Sequence, residues 1–280
     1  MDDLSLSDYL AEEWKPALGC TEPASIAYAA ALAAAELPGP AVQASLVCDP
    51  RIYKNCYAVG IPHSGHKSGI RWALAIGAFL PDPSAQLQCF QQTDEAILQQ
   101  AQVLLNGNEL DISVAPDCEE LFIECRVEDA EGHWAQARIQ QNHTRLTRLE
   151  VDGEVKFDEA VIESASHRSL RRELSQMDFA QLMALAASAT EADRALLRQG
   201  VDSNLAIADR GLGLFPQRFV QMDGEDSLTR ISRKVCAGVY ARMCGEDFVV
   251  MSLAGSGNKG ITCGALVAFR RRARPGAGAG

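Results

Sequence analysis

The sequence lacks an excess of positive charge. Its 280 residues include 26 Lys and Arg against 37 Asp and Glu, which gives a formal net charge of −11. A protein that binds nucleic acid generally needs a basic surface to neutralise phosphates, so this class of function is excluded. The N-terminus also lacks a basic-then-apolar leader, and the longest apolar stretch, residues 24–37, is too short to span a bilayer. We therefore expect a cytoplasmic protein with no nucleic-acid partner and no membrane partner.

Cysteine pairs in the C-x-x-C spacing of metal and redox sites are also absent, although the chain has nine cysteines. The number is odd, and disulfides are rare in the reducing compartment expected here. Most of the cysteines are therefore expected to be small buried side chains. The functional question is which of them takes part in chemistry.

Apolar periodicity and turn residues predict helices toward both ends of the chain around a largely antiparallel mixed sheet, which is an α+β fold. Helices are predicted over residues 4–18, 23–37, 70–80, 94–105, 170–208, 228–243 and 261–269. Strands are predicted over residues 42–48, 52–59, 110–114, 120–128, 133–140, 144–151 and 154–158. Asp152-Gly153 is typical of a type I′ hairpin turn between the last two strands. We expect one domain over residues 1–269 and a disordered Arg/Gly/Ala/Pro tail over residues 270–280.

The sequence GCTEP, residues 19–23, is the first candidate for chemistry. Thr21 is a favourable N-cap, and Glu22 and Pro23 are favoured in the first turn of a helix. Cys20 would then lie at a helix N-terminus, where the positive end of the helix dipole lowers the pKa of a thiol. The resulting thiolate is the form that attacks a substrate or binds a metal. The alternative is a helix cap beside an incidental cysteine.

Two further stretches combine polar side chains with glycine. Lys54 and Asn55 precede a Gly/Pro loop at residues 60–65, and a cation beside an amide can hold a carboxylate. Residues 255–260, GSGNKG, precede a predicted helix, and glycines allow a ligand to approach the backbone closely. The spacing of a Walker phosphate loop is absent. Ordinary turns beside a solvated lysine are the alternative interpretation of both stretches.

The stretches EEWKPALGCTEPASIAYAAA, YKNCYAVGIPHSG and GSGNKGIT together carry a resemblance to a known family. The chain resembles the UPF0597 family over about residues 8–269; those proteins are described as L-cysteine desulfidases or as relatives of the L-serine dehydratase α chain. The resemblance implies a serine dehydratase α-chain-like fold. It also implies a lyase that converts L-cysteine or L-serine to pyruvate, with release of ammonia and of sulfide or water. The implied cofactor is a [4Fe–4S] cluster, with Cys20 as its first ligand.

The resemblance also implies the residues that line the substrate site, namely Lys54, Asn55, Ser256, Gly257 and Asn258. A β-elimination must remove the Cα proton and expel a poor leaving group. A Lewis-acidic iron without a protein ligand lowers the second barrier, and a positioned base takes the proton. His143 is the candidate base, because its Asn-His-Thr sequence matches the family and histidine titrates in the right range.

The end of the chain departs from the family pattern. The resemblance implies a further helical region that contains two more cluster cysteines, so we expect a truncated chain with impaired activity that forms homo-oligomers through exposed apolar surface. Cys236, Cys244 and Cys263 are alternative cluster ligands. Two other functions stay open: a non-catalytic remnant or partner-dependent subunit, and a pyridoxal-phosphate lyase with Lys259 as the Schiff base.

Overall fold

The computed structural model describes residues 5–159, 165–216 and 226–273. Its helices are α1 (Leu6–Glu13), α2 (Thr21–Ala34), α3 (Pro50–Cys56), α4 (Ile70–Gly77), α5 (Glu95–Asn106), α6 (Ala165–Gln176), α7 (Phe179–Ala187), α8 (Glu191–Leu214), α9 (Ser227–Met243) and α10 (Gly257–Ala273). Its strands are β1 (Trp14–Leu18), β2 (Ala41–Cys48), β3 (Leu110–Val114), β4 (Phe122–Asp129), β5 (Trp134–Gln140), β6 (Leu146–Val151), β7 (Glu154–Asp158) and β8 (Val249–Leu253). A 3₁₀ segment, Pro83–Gln92, lies between α4 and α5.

The described residues divide into two compact units. The sheet unit contains residues 17–159 and 242–249, and the helical unit contains residues 5–16, 165–216, 226–241 and 250–273. The expectation of one domain over residues 1–269 with a disordered tail stays a prediction. Helix α10 extends to Ala273, and residues 274–280 lie outside the described part of the chain.

The sheet unit is built on six strands in the order β3-β2-β4-β5-β6-β7. β2 and β3 are parallel and the other neighbours are antiparallel, so the predicted mixed, largely antiparallel sheet is confirmed. Side chains of β4 and β5 alternate between buried and half-buried positions, as expected when one face of a sheet covers a core. Asp152 and Gly153 have φ values of 49° and 85°, the left-handed conformation that the predicted type I′ turn requires.

The alanine-rich helix α2 lies in the core of the sheet unit, where small side chains allow close packing. Nearly all of its side chains are buried. A Cβ atom on Gly77 of α4 would lie 2.6 Å from Cα of Ala27, so the backbones of α2 and α4 are in contact there. This packing fixes the N-terminus of α2, and with it the position of the GCTEP sequence.

The helical unit combines buried apolar residues with polar and backbone contacts between its elements. The buried side chain of Asn204 on α8 accepts the N–H of Met251 on β8 at 2.8 Å and donates to the carbonyl of Met251 at 3.1 Å. Helices α8 and α9 are in close contact, since a Cβ on Gly211 would lie 2.0 Å from the carbonyl oxygen of Ala237. β1 and β8 form a two-stranded sheet. Helix α7, in contrast, has no buried residue.

Two predicted elements are wrong in part or in whole. The helix predicted over residues 4–18 ends at Glu13 and β1 follows it, because Pro16 lacks the N–H that a continued helix needs. The strand predicted over residues 52–59 is replaced by helix α3. This helix begins where the Asp49 carboxylate accepts the first free N–H groups.

The other predicted elements are present with shifted ends. The helical stretch over residues 170–208 is confirmed as parts of α6, α7 and α8. The serine dehydratase-like fold stays a prediction. In the part of the chain that the structure describes, no helix has both the length and the apolar character that crossing a membrane requires.

Candidate active site

The N-terminus of α2 places a carboxylate at the centre of a hydrogen-bonded group. Glu22, in the first turn, accepts the thiol hydrogen of Cys20 at 2.8 Å and the hydroxyl hydrogen of Thr21 at 3.0 Å through the same oxygen, Oε2. Its other oxygen, Oε1, accepts from Nδ2 of Asn55 on α3 at 3.0 Å. The N-cap of α2 is Cys20 and not Thr21, the residue predicted to cap it. Two of the predicted site residues, Cys20 and Asn55, are therefore brought together by one that was predicted only as a helix-start residue.

His143 lies in the loop between β5 and β6, and this loop is tied to α2. The side-chain oxygen of Asn142 accepts the N–H of Thr144 at 3.0 Å, which fixes the turn, and the carbonyl of His143 accepts from the hydroxyl of Ser25 at 2.6 Å. The charge of Glu22 influences the pKa of His143, and the charge of Arg242 influences the pKa of both His143 and Cys20. We call this set the Glu22 cluster; it consists of Cys20, Thr21, Glu22, Asn55, His143 and Arg242, all in the sheet unit.

The pKa values of Glu22 and His143 are both lowered, which favours the charged form of Glu22 and the neutral form of His143. Burial would raise the pKa of Glu22, but the hydrogen bond from Cys20 and the nearby His143 outweigh burial and lower that pKa below its usual value. Burial lowers the pKa of His143, and the positive charge of Arg242 lowers it further, although Glu22 opposes both. Near neutral pH the cluster therefore contains a carboxylate beside a neutral imidazole.

The thiol of Cys20 does not have the low pKa that the sequence predicts. Burial raises the pKa of Cys20 to about 12, and the negative charge of Glu22 adds to this effect, although Arg242 opposes it. The side chain is 4% exposed and forms no cap hydrogen bond with the helix N–H groups. The helix-dipole argument is therefore wrong here, because burial beside a carboxylate outweighs the favourable helix end.

Lys54 is not part of this arrangement. It lies in the last turn of α3 with an exposed side chain, and among the described residues no hydrogen bond or ion pair links it to the Glu22 cluster. Its neighbour Asn55 lies on a different side of the same helix. The predicted role of Lys54 in substrate binding stays a prediction.

The glycine-rich stretch belongs to the helical unit and has structural contacts there. Oγ of Ser256 accepts the N–H of Lys259 at 3.4 Å at the start of α10, and the carbonyl of Asn258 accepts from the hydroxyl of Thr262 at 2.8 Å. A Cβ on Gly260 would lie 1.9 Å from the carbonyl oxygen of Met251, so this glycine allows α10 to contact β8. The contacts of Ser256 and Gly260 thus start and pack a helix, and the predicted substrate role of Ser256, Gly257 and Asn258 stays a prediction.

Curated relatives align with most of the chain. It is 33% identical over 263 residues to UPF0597 protein GSU1527 of Geobacter sulfurreducens, in an alignment that covers 91% of this chain and 61% of that protein. The chain belongs to the UPF0597 family. It is also 32% identical over 279 residues to a UPF0597 protein of Desulfatibacillum aliphaticivorans, with 92% and 63% covered. With UPF0597 protein YhaM of Escherichia coli it shares 33% identity over 266 residues, with 90% and 60% covered.

The predicted family is thus confirmed, and the chain spans about three fifths of the length of these curated UPF0597 relatives. No protein-family model matches the chain. No solved structure matches it.

The described residues of this UPF0597 chain do not by themselves fit a [4Fe–4S] cluster. Such a cluster is held mainly by cysteine thiolates that converge on its irons. Among the residues that the structure describes, no group of three or more His, Cys, Asp or Glu side chains is arranged to hold a metal ion. Cys20 is the one thiol of the Glu22 cluster, and the alternative ligands form no such group; they are Cys236, Cys244 and Cys263.

Two residues of the cluster were missed by the sequence prediction. The sequence predicts Glu22 only as an acid favoured in the first turn of a helix, and it predicts no role for Arg242 in the site. Glu22 lies in GCTEP, one of the stretches that carry the resemblance to the UPF0597 family. Arg242 is 3% exposed, and a long charged side chain that is almost fully buried is rare enough to attract attention.

Proposed function

We propose that this UPF0597 chain is part of a cytoplasmic amino-acid lyase that converts L-cysteine or L-serine to pyruvate by β-elimination. The observation that supports the proposal is the Glu22 cluster, which combines a half-buried carboxylate, a neutral imidazole, an amide and a cation in one unit. A small amino acid is a zwitterion, so its ammonium group is attracted to Glu22. The amide of Asn55 and the positive charge of Arg242 favour its carboxylate.

His143 is the proposed base for the first step. Its pKa is lowered by burial, so the imidazole is free to accept the Cα proton at neutral pH. The electron pair of the broken Cα–H bond forms the Cα–Cβ double bond, and sulfide or hydroxide leaves from Cβ and takes up a proton. The resulting aminoacrylate tautomerises to an imine, and water converts the imine to pyruvate and ammonia.

Expulsion of the leaving group is the step for which the described residues are incomplete. The iron–sulfur cluster implied by the family would supply a Lewis acid there. Cys56 is the nearby thiol, since burial and then the charges of Cys20 and Glu22 raise its pKa. However, no described group of three or more ligands contains Cys20. We therefore expect little turnover from this chain alone. The same observation favours a second candidate, a subunit whose missing thiolates come from another chain.

Binding of the substrate tests the site without requiring turnover. Isothermal titration calorimetry is expected to detect L-serine and L-cysteine, and Asn55→Ala and Glu22→Gln are each expected to weaken binding about tenfold or more, because one hydrogen bond to a charged group contributes about 1.5–3 kcal/mol. Gln99→Ala, on the exposed side of α5, is the matched control and should bind normally. Wild-type protein that binds neither amino acid, or variants with unchanged affinity, would contradict the proposal.

Turnover and cofactor are tested after anaerobic treatment with iron and sulfide. Iron per chain and pyruvate formed are measured for the wild type and for Cys20→Ser. Near four irons per chain with sustained pyruvate release would show that this chain itself supplies enough ligands for the cluster, whereas activity only after mixing with another chain would select the partner-dependent subunit. A yellow chromophore in the isolated protein would favour the pyridoxal-phosphate alternative.

A further inference from the structure

The sheet unit contains a cavity of about 800 Å³ that involves neither Cys20, Glu22 nor His143. It lies where α3, the start of α4, α5 and β3 meet. Its polar and aromatic lining residues include Tyr53, Tyr57, Arg71, Trp72, Gln102 and Asp111. This volume lies within the range of ligand-binding pockets, about 300–1,000 Å³.

Two opposite charges in the lining have no partner within the described chain. The side chains of Arg71 and Asp111 are exposed, and neither forms an ion pair or a hydrogen bond with any described residue. They line the same cavity without contacting each other as an ion pair. A ligand that carries both a carboxylate and an ammonium group would satisfy both, with its carboxylate on the guanidinium of Arg71 and its ammonium on the carboxylate of Asp111.

Aromatic rings supply apolar surface in the same lining. Tyr53 lies on α3 and Tyr57, one turn later, is the C-cap of that helix; their ring centroids are 6.1 Å apart and their planes are tilted by 55°. The ring of Trp72 has the ammonium of Lys67 4.8 Å from its centroid, which keeps one face of that ring occupied. Rings arranged in this way favour a ligand with a flat apolar group, which gains edge-to-face or stacked contacts.

The cavity and the Glu22 cluster use different sides of the same helix. Tyr53 and Tyr57 are four residues apart and share one face of α3, whereas Asn55 is about 200° around the helix from Tyr53 at 3.6 residues per turn. A ligand in the cavity therefore occupies a site separate from the proposed substrate site.

We propose that this cavity is a second binding site, for a small zwitterion with a flat apolar group, of which aromatic L-amino acids are the simplest examples. The proposal goes beyond the proposed lyase activity and does not depend on it. Arg71 fixes the carboxylate, Asp111 fixes the ammonium group, and Tyr53, Tyr57 and Trp72 contact the ring.

Isothermal titration calorimetry with L-phenylalanine is the test. One molecule is expected to bind per chain, and Arg71→Gln and Asp111→Asn are each expected to weaken binding by about tenfold, since each removes one charge-assisted contact. Phenethylamine, which lacks the carboxylate, and 3-phenylpropionate, which lacks the ammonium group, are expected to bind more weakly than L-phenylalanine. Because both substituted side chains are exposed and have no described partner, thermal unfolding should stay unchanged in both variants.

Matched controls separate this site from non-specific charge effects and from the Glu22 cluster. Asp117→Asn and Arg194→Gln remove exposed charges elsewhere and should leave binding of L-phenylalanine unchanged. Asn55→Ala should also leave it unchanged. The proposal is overturned if no saturable binding is seen up to about 10 mM, or if the Arg71 and Asp111 variants bind like the wild type. It is equally overturned if Asn55→Ala abolishes binding, because the ligand would then occupy the Glu22 cluster.

Discussion

Two stretches that carry the family resemblance differ in what their residues contact. In GCTEP, the thiol of Cys20 donates a hydrogen bond to the carboxylate of Glu22, and the amide of Asn55 donates another to the same carboxylate. In GSGNKG, the hydroxyl of Ser256 caps α10, and the missing side chain of Gly260 allows that helix to contact β8. A sequence motif of the family can thus serve chemistry or serve packing, and the contacts of its side chains distinguish the two roles.

The largest expected difference between the two stretches is the reactivity of one cysteine thiol in or near each, Cys20 in GCTEP and Cys263 after GSGNKG. Burial raises the pKa of Cys20 to about 12 from an ordinary 9.0, so its thiolate fraction falls about a thousandfold. Cys263, on α10, is exposed. Limiting iodoacetamide at neutral pH, followed by peptide mass mapping, is therefore expected to label Cys263, together with Cys236 and Cys244, long before Cys20.

This expectation is the opposite of the sequence prediction that Cys20 is favoured as a thiolate. Labelling in denaturant is the control, because it removes the differences in burial between the cysteines. In denaturant all nine cysteines should be labelled at similar rates. Preferential labelling of Cys20 in the folded protein would mean that its thiolate is favoured, and would restore the helix-dipole interpretation of GCTEP.

If the GSGNKG sequence serves packing, one added methyl group is expected to reduce the stability of the protein strongly. In Gly260→Ala the new Cβ would lie 1.9 Å from the carbonyl oxygen of Met251. Backbone atoms must move to relieve this contact, so the free energy of unfolding is expected to fall by about 3 kcal/mol, measured by urea denaturation.

Gly213→Ala is the matched control, because that glycine lies in α8 with no atom within 4 Å of a Cβ. It should be neutral or stabilise the protein by up to about 1 kcal/mol, since alanine is the better helix former. If Gly260→Ala kept full stability but lost the binding of L-serine, GSGNKG would serve chemistry, as GCTEP does, and not packing.

The sequence predicts what depends on local pattern and fails where distant residues decide. Alternating residues in β4 and β5 and the Asp152-Gly153 turn contain their own signals, and these elements are confirmed. Helix α3 was missed because its cap, Asp49, was not recognised. The fold class therefore followed from periodicity, while element ends depended on turn chemistry.

The sequence predicts three residues of the candidate site and none of its geometry. Cys20, Asn55 and His143 were chosen from motifs, yet what joins the first two is Glu22, 33 positions before Asn55 in the chain. The pKa of Cys20 could not be derived from the sequence either. The helix end that favours thiolate is local, whereas the burial that opposes it depends on the tertiary packing around α2.

The smallest predicted effect is a pH dependence of stability that the Glu22 cluster can show and GSGNKG cannot, since GSGNKG contains neither histidine nor a carboxylate. Burial holds the pKa of His143 below its ordinary 6.5 in the folded protein. As the pH falls through 6.5, the unfolded chain therefore binds a proton that the folded chain does not, and the free energy of unfolding decreases.

The exposed His133 is expected to have the opposite effect on stability. Its hydrogen bond to Asp152 raises its pKa, so protonation of His133 stabilises the folded protein at low pH. Urea denaturation between pH 5.0 and 8.0 is therefore expected to show a weaker loss of stability on acidification in His143→Gln and a steeper loss in His133→Gln, relative to the wild type. Identical pH dependence in the wild type and in His143→Gln would show that this imidazole is not held neutral, and would remove it as the proposed base.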